Sequence, residues 1–183
     1  METVTTPKLM RLKSALALLA ILFLGCHAPA QLKPYDFPAD GFRASFPSKP
    51  ELSKDTVPEG QLTFEIHYYI ATEPISGATL MAAVTDFGNH LDGRDPDGVL
   101  QGAENGALAN SKSHLVGAHK QIFLGANHGV AFEAESDEAH LSIRLYLVGG
   151  MLYQEVVVSP KSKKYDTAAT QRFLDSFQLI ARQ

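Results

Sequence analysis

Cysteine is almost absent: Cys26 is the single one in 183 residues. No internal disulfide can form, and a free thiol left on an exported protein would be a liability in an oxidising compartment. Long apolar runs are also missing. The longest, Ala15 to Leu24, has ten residues, about half of the 20 or so that a stable membrane-spanning helix needs. Basic charge is not in surplus, with 16 Lys and Arg against 20 Asp and Glu. Only Lys161, Lys163 and Lys164 cluster, so the basic face that a nucleic-acid partner requires is lacking. Catalytic spacings are absent too. There is no G-x-S-x-G elbow, no G-x-x-x-x-G-K phosphate loop, and neither H-E-x-x-H nor H-x-x-x-H to turn two imidazoles toward a zinc ion.

What is present begins with an export signal. Lys8, Arg11 and Lys13 precede the apolar run, and small residues follow it. Two cuts compete within "LFLGCHAPAQ". "FLGC" resembles the bacterial lipobox, which is cut before a cysteine carrying diacylglycerol; Gly25 and Cys26 fit it, whereas Phe23 and Leu24 are unusual there. Ala28-Pro29-Ala30 satisfies the A-x-A rule and would release a chain starting at Gln31. The lone cysteine favours the first, because a lipidated Cys26 has no free thiol. The expected organisation is a signal at 1–25, a tether at 26–40 containing Pro29, Gln31, Lys33, Pro34, Pro38 and Asp40, and one domain at 41–181. Losing Glu2, Lys8, Arg11 and Lys13 leaves 13 basic and 19 acidic residues of the original 16 and 20, about −6 net.

From Gly41 onward the chain reads as strands separated by turn residues. In "QLTFEIHYYIATE", Leu62, Phe64, Ile66, Tyr68 and Ile70 alternate with polar residues, as on a half-buried strand. "ATLMAAVTDF" is apolar on both sides and suits an interior strand. "FRASFP", "HLVGAHKQIFL", "HGVAFEAES", "HLSIRLYLV" and "MLYQEVVVS" complete the set, the last two joined by Gly149-Gly150, the length of a primed hairpin turn. Two helices are expected. One opens with Asp95 as N-cap and Pro96 at the first helical position. The other starts at Asp166 and carries Ala169, Phe173 and Phe177 at four-residue spacing. Strands and helices in this order, without βαβ alternation, predict an α+β fold: an antiparallel sheet of six to seven strands packed with two main helices.

"GFRASFPSKP" at 41–50 and "FLDSFQL" at 173–179 resemble the opening and close of the PsbP-like superfamily, which includes DcrB-like bacterial lipoproteins and a Ran-binding import factor. The resemblance implies an antiparallel sheet between helices whose members bind partners or assist assemblies. It supplies no catalytic residue to carry over. The matching positions are structural, with Phe42, Phe46, Phe173 and Phe177 expected in the core.

Three constellations remain. His67, Glu65, Glu133, Glu135 and His140 share a polar sheet face if the strand registers cooperate. Asp92, Asp95 and Asp97 crowd one loop, but their spacing is not that of a calcium loop, and a turn with an N-cap explains them. Gly98, Gly102 and Gly106 form a stripe on the first helix, expected to pack closely on the sheet or else to meet a partner. No cofactor, metal site or catalytic residue is expected; the one site residue is Cys26, as a lipid attachment. The function expected is a cell-envelope lipoprotein facing the periplasm, a non-catalytic binding or assembly-support module. Its partners are the membrane, through the anchor, and a protein; no nucleic acid is expected. The alternatives are a periplasmic metal or small-molecule binder using the polar sheet face or a pocket beside the first helix, and third, a hydrolase. The last would require a buried, perturbed acid or base in a cleft.

Overall fold

The structure is a computed structural model and describes residues 31–183 apart from residue 165. Cys26 and both cleavage sites lie outside the described residues. The fold is α+β. Seven antiparallel strands form the main sheet in the order β3-β4-β5-β9-β8-β7-β6, and β1, β2 and β10 form a small one with β2 in the middle. The main-sheet strands are β3 (Glu51–Glu59), β4 (Leu62–Thr72), β5 (Thr79–Asp86), β6 (His114–Leu124), β7 (Asn127–Glu135), β8 (Ala139–Val148) and β9 (Met151–Pro160). The small sheet comprises β1 (Lys33–Phe37), β2 (Phe42–Phe46) and β10 (Gln178–Leu179); the helices are α1 (Pro96–Asn110) and α2 (Thr167–Leu174).

Each face of the main sheet has its own core. On one, the small sheet and α2 cover Tyr69, Ala82, Val84, Tyr153 and Val157 with Phe42, Phe46, Phe173 and Phe177. Phe42 stacks on Phe177 at 5.3 Å, and Phe46 meets Phe173 edge-on at 5.3 Å. On the other face α1 lays Leu100 over Val130, Phe132, Ile143, Leu145 and Val156. α1 starts as expected, its first turn capped by the Asp95 carboxylate accepting from Gly98 N. The β8–β9 hairpin also forms, with Val148 opposite Met151. Its two glycines answer different demands. Gly149 takes a positive φ of 57°, whereas a side chain on Gly150 would run into the Gly88 carbonyl.

Four expectations need correction. The tether is shorter than 26–40, because Lys33–Phe37 pairs with β2 and Tyr35 and Phe37 pack on the core. β3, which has no predicted counterpart, lies exposed at the sheet edge, so no apolar period marks it; its Lys54, Asp55 and Pro58 suit an edge. α2 ends at Leu174 rather than continuing through Phe177. Ser45 N donates to Ser176 Oγ, and Gln178 and Leu179 pair with β2, so strand pairing claims the residues that helical spacing assigned to the helix. Phe177 still reaches the core, from the turn. Finally, the glycine stripe of α1 does not pack on the sheet. A Cβ at Gly102 or Gly106 would meet nothing within 4 Å, and the helix buries Leu100 and Glu104 instead.

Candidate functional site

The residues expected on one polar sheet face do lie on one face, the one beneath the small sheet, but in two groups separated by β5 and β9. In the first, His67 on β4 stands between two carboxylates. Its Nδ1 is 2.8 Å from Asp40 Oδ2 and its Nε2 is 2.6 Å from Glu65 Oε1. Burial pushes the imidazole pKa down, but the bonds to Asp40 and Glu65 outweigh this and raise it above the ordinary value. In a catalytic Asp–His pair the second nitrogen faces a nucleophile; here Glu65 occupies it. Asp40 is 5% exposed, and it also accepts from the Tyr69 hydroxyl, while its carbonyl accepts from Tyr153 Oη at 2.8 Å. Burial, then the bond to Asp40, pushes the Tyr69 hydroxyl far up. The group is a clamp that fixes the β1–β2 turn to the main sheet. Sequence reasoning placed Asp40 in the tether and missed it; an acidic residue beside a glycine in a proline-rich stretch has no signature of burial.

In the second group His140 and Lys161 both pair with Glu135, each at 2.9 Å, and Ser142 donates to Glu133 at 2.6 Å. The remaining paired histidines face α1: His119 meets the buried Glu104 at 3.1 Å, and His128 meets Asp97 at 3.4 Å. A second cavity of about 410 Å³ lies beside α1, lined in part by Asp95, Asp97, Glu104 and His119. Each of the four histidines therefore has its own carboxylate. Among the described residues no three His, Cys, Asp or Glu side chains are grouped to hold a metal ion.

One acid is buried and strongly perturbed. Glu155, in the middle of β9, is 0% exposed, and burial raises its carboxyl well above the usual range despite Arg144 on the neighbouring strand. It stands on β9 on the same face as Tyr153 and Val157, lines neither of the two cavities described here, and among the described residues neither of its carboxyl oxygens has a hydrogen-bond partner. Arg144 itself turns away, donating to the Leu174 carbonyl and to Asp175.

The larger cavity, about 460 Å³, opens where β5 begins, β9 ends and α2 starts. Leu32, Ile75, Ala78, Leu80 and Val157 give it an apolar floor and wall. Lys163, Lys164 and Arg172 stand around it, and among the described residues none of the three is in an ion pair. Both acids of its lining serve their own backbone. Glu73 accepts from Ile75 N, Ser76 N and Ser76 Oγ, and Asp166 caps α2 by accepting from Ala169 N. No spacing in the sequence announces this cavity, since its walls come from three separate stretches of the chain, Leu32, Glu73 to Leu80 and Val157 to Arg172.

The architecture has a solved counterpart. The solution structure of cyanobacterial PsbP (CyanoP) from Synechocystis sp. PCC 6803 matches with a TM-score of 0.53 at 14% identity, over 82% of this chain and 93% of that one. The fold is PsbP-like. No protein-family model matches the chain, and no curated protein matches it significantly.

Proposed function

We propose that this chain is a cell-envelope lipoprotein of the DcrB-like kind, a non-catalytic binding or assembly-support module held at the periplasmic face of a membrane through Cys26. The observation that carries this reading is the place where the domain starts. Leu32, six positions after the cysteine, already borders the larger cavity, and Lys33 opens β1. Six extended residues reach about 20 Å. A lipid on Cys26 therefore holds the cavity end of the domain at the headgroup layer, whereas a tether reaching residue 40 would allow more than twice that distance. The engagement of both His67 nitrogens by carboxylates supports a non-hydrolytic role.

Metabolic labelling with a radioactive fatty acid tests the anchor. Label on the wild-type protein and none on Cys26→Ala is the expected result, and an unlabelled product beginning at Gln31 overturns it. Crosslinking in intact envelopes tests the module: a discrete protein adduct is expected, and one that disappears when surface residues of the cavity rim are replaced locates the contact.

A further inference from the structure

We infer that the larger cavity binds a single-chain amphiphile with an anionic head, its tail against Leu32, Ile75, Leu80 and Val157 and its head at Lys163, Lys164 and Arg172. Three observations carry this. The volume, about 460 Å³, falls in the range of about 300–1,000 Å³ typical of small-molecule sites. The chemistry of the lining is divided: Leu32, Ile75, Leu80 and Val157 are apolar, Lys163, Lys164 and Arg172 are cationic, and the two acids, Glu73 and Asp166, already accept from backbone N–H groups. An apolar wall beside a surplus of positive charge is the complement of an amphiphile with an anionic head. The cations are also gathered. In a chain of net charge −4, Lys163, Lys164 and Arg172 line one opening, and among the described residues none of the three is in an ion pair. Ile75, 48% exposed at the mouth, extends the apolar surface outward along the path a tail would take.

A carboxylate head of a free fatty acid and a phosphate head of a lysolipid share this chemistry, since either accepts hydrogen bonds from two ammonium groups and a guanidinium. The supply of such a molecule from the membrane surface rests on the lipid-anchor reading above; the selectivity of the cavity does not.

The test uses the full chain, delipidated on a hydrophobic resin and titrated with the fluorescent fatty acid cis-parinaric acid. Saturable one-to-one binding is expected, with oleate or oleoyl lysophosphatidate displacing the probe at least about ten-fold better than oleyl alcohol. Displacement by oleate alone assigns a free fatty acid, and displacement by the lysophosphatidate alone assigns a lipid phosphate. The double variant Lys163→Glu, Lys164→Glu, on an exposed turn, is expected to weaken probe binding by about ten-fold or more at unchanged melting temperature. Ala78→Phe, which fills the cavity from its wall, is expected to abolish binding; if it also lowers the melting temperature, the charge reversal decides alone. Absence of saturable binding, equal displacement by the alcohol, or an inert charge reversal overturns the inference. Ligand binding without acylation of Cys26 would remove the anchor and leave the site; acylation without ligand binding would do the reverse.

Discussion

The two faces of the main sheet are closed by unlike means. Beneath the small sheet the cover is aromatic and comes from both ends of the described chain: β1 and β2 at one end, α2, Phe177 and β10 at the other. On the opposite face the cover is the single helix α1, which carries three glycines and buries only Leu100 and Glu104, Leu100 over a layer in which Phe132 is the one fully buried ring. Interlocking rings from distant segments fix one arrangement, because each ring needs its neighbours in place. A lone helix resting mostly on Val, Ile and Leu side chains, with Phe132 the single buried ring among them, can settle after a loss. The first face therefore holds the fold's identity, and the second holds its tolerance.

Truncation should expose this difference most strongly. Phe42→Ala is expected to cost about 3–5 kcal/mol and Leu100→Ala about 2 kcal/mol, the low end for a buried leucine, both read from urea denaturation. Equal losses would show that the covers are equivalent. Asp40→Ala comes next at about 1–3 kcal/mol, since it leaves the buried Tyr69 hydroxyl without its acceptor; a neutral result would dissolve the clamp.

The aromatic face should also carry the pH dependence. Glu155 keeps its proton when folded at pH values where the unfolded chain, with an ordinary pKa of about 4.3, has released it. The folded state then binds more protons, so stability declines as pH rises from there toward the folded pKa. His67 has the same sign in a later window: its contribution is complete below about 6.5 and is lost as pH rises through its raised folded value. Glu155→Met removes the first slope and leaves the second. Melting at about pH 5 and about pH 8 should show the wild type losing more stability between them than the variant does. The smallest effect belongs to the other face. Gly102→Ala is expected to raise stability by about 0.5–1 kcal/mol, because the added methyl group meets nothing and the helix gains propensity.

What the sequence made legible follows the same division between interior and margin. β4, β5, β8 and β9 lie inside the main sheet, so burial wrote alternation or continuous apolar runs into them. β1 and β3 are edges, where charge and proline obscure any period. α2 was overextended because Phe177 has the spacing of a helix and the environment of a turn; only its proximity to β2, more than 130 residues earlier in the chain, distinguishes the two. The cap at Asp95 was readable because it is local. Asp40, Glu155 and the larger cavity were not, since burial of an acid or the meeting of three segments is a property of the folded chain and leaves no spacing behind.

The small sheet also determines how the domain responds to force. Tension arriving from the amino-terminal side enters at Lys33, which lies opposite Phe46 at the open end of the β1–β2 pair. It therefore reaches the hydrogen bonds of that pair from their open end. The last position loaded is the turn that Asp40 holds to His67, Tyr69 and Tyr153. Because those three residues stand on β4 and β9, Asp40 is the point at which a pull on β1 passes into the main sheet.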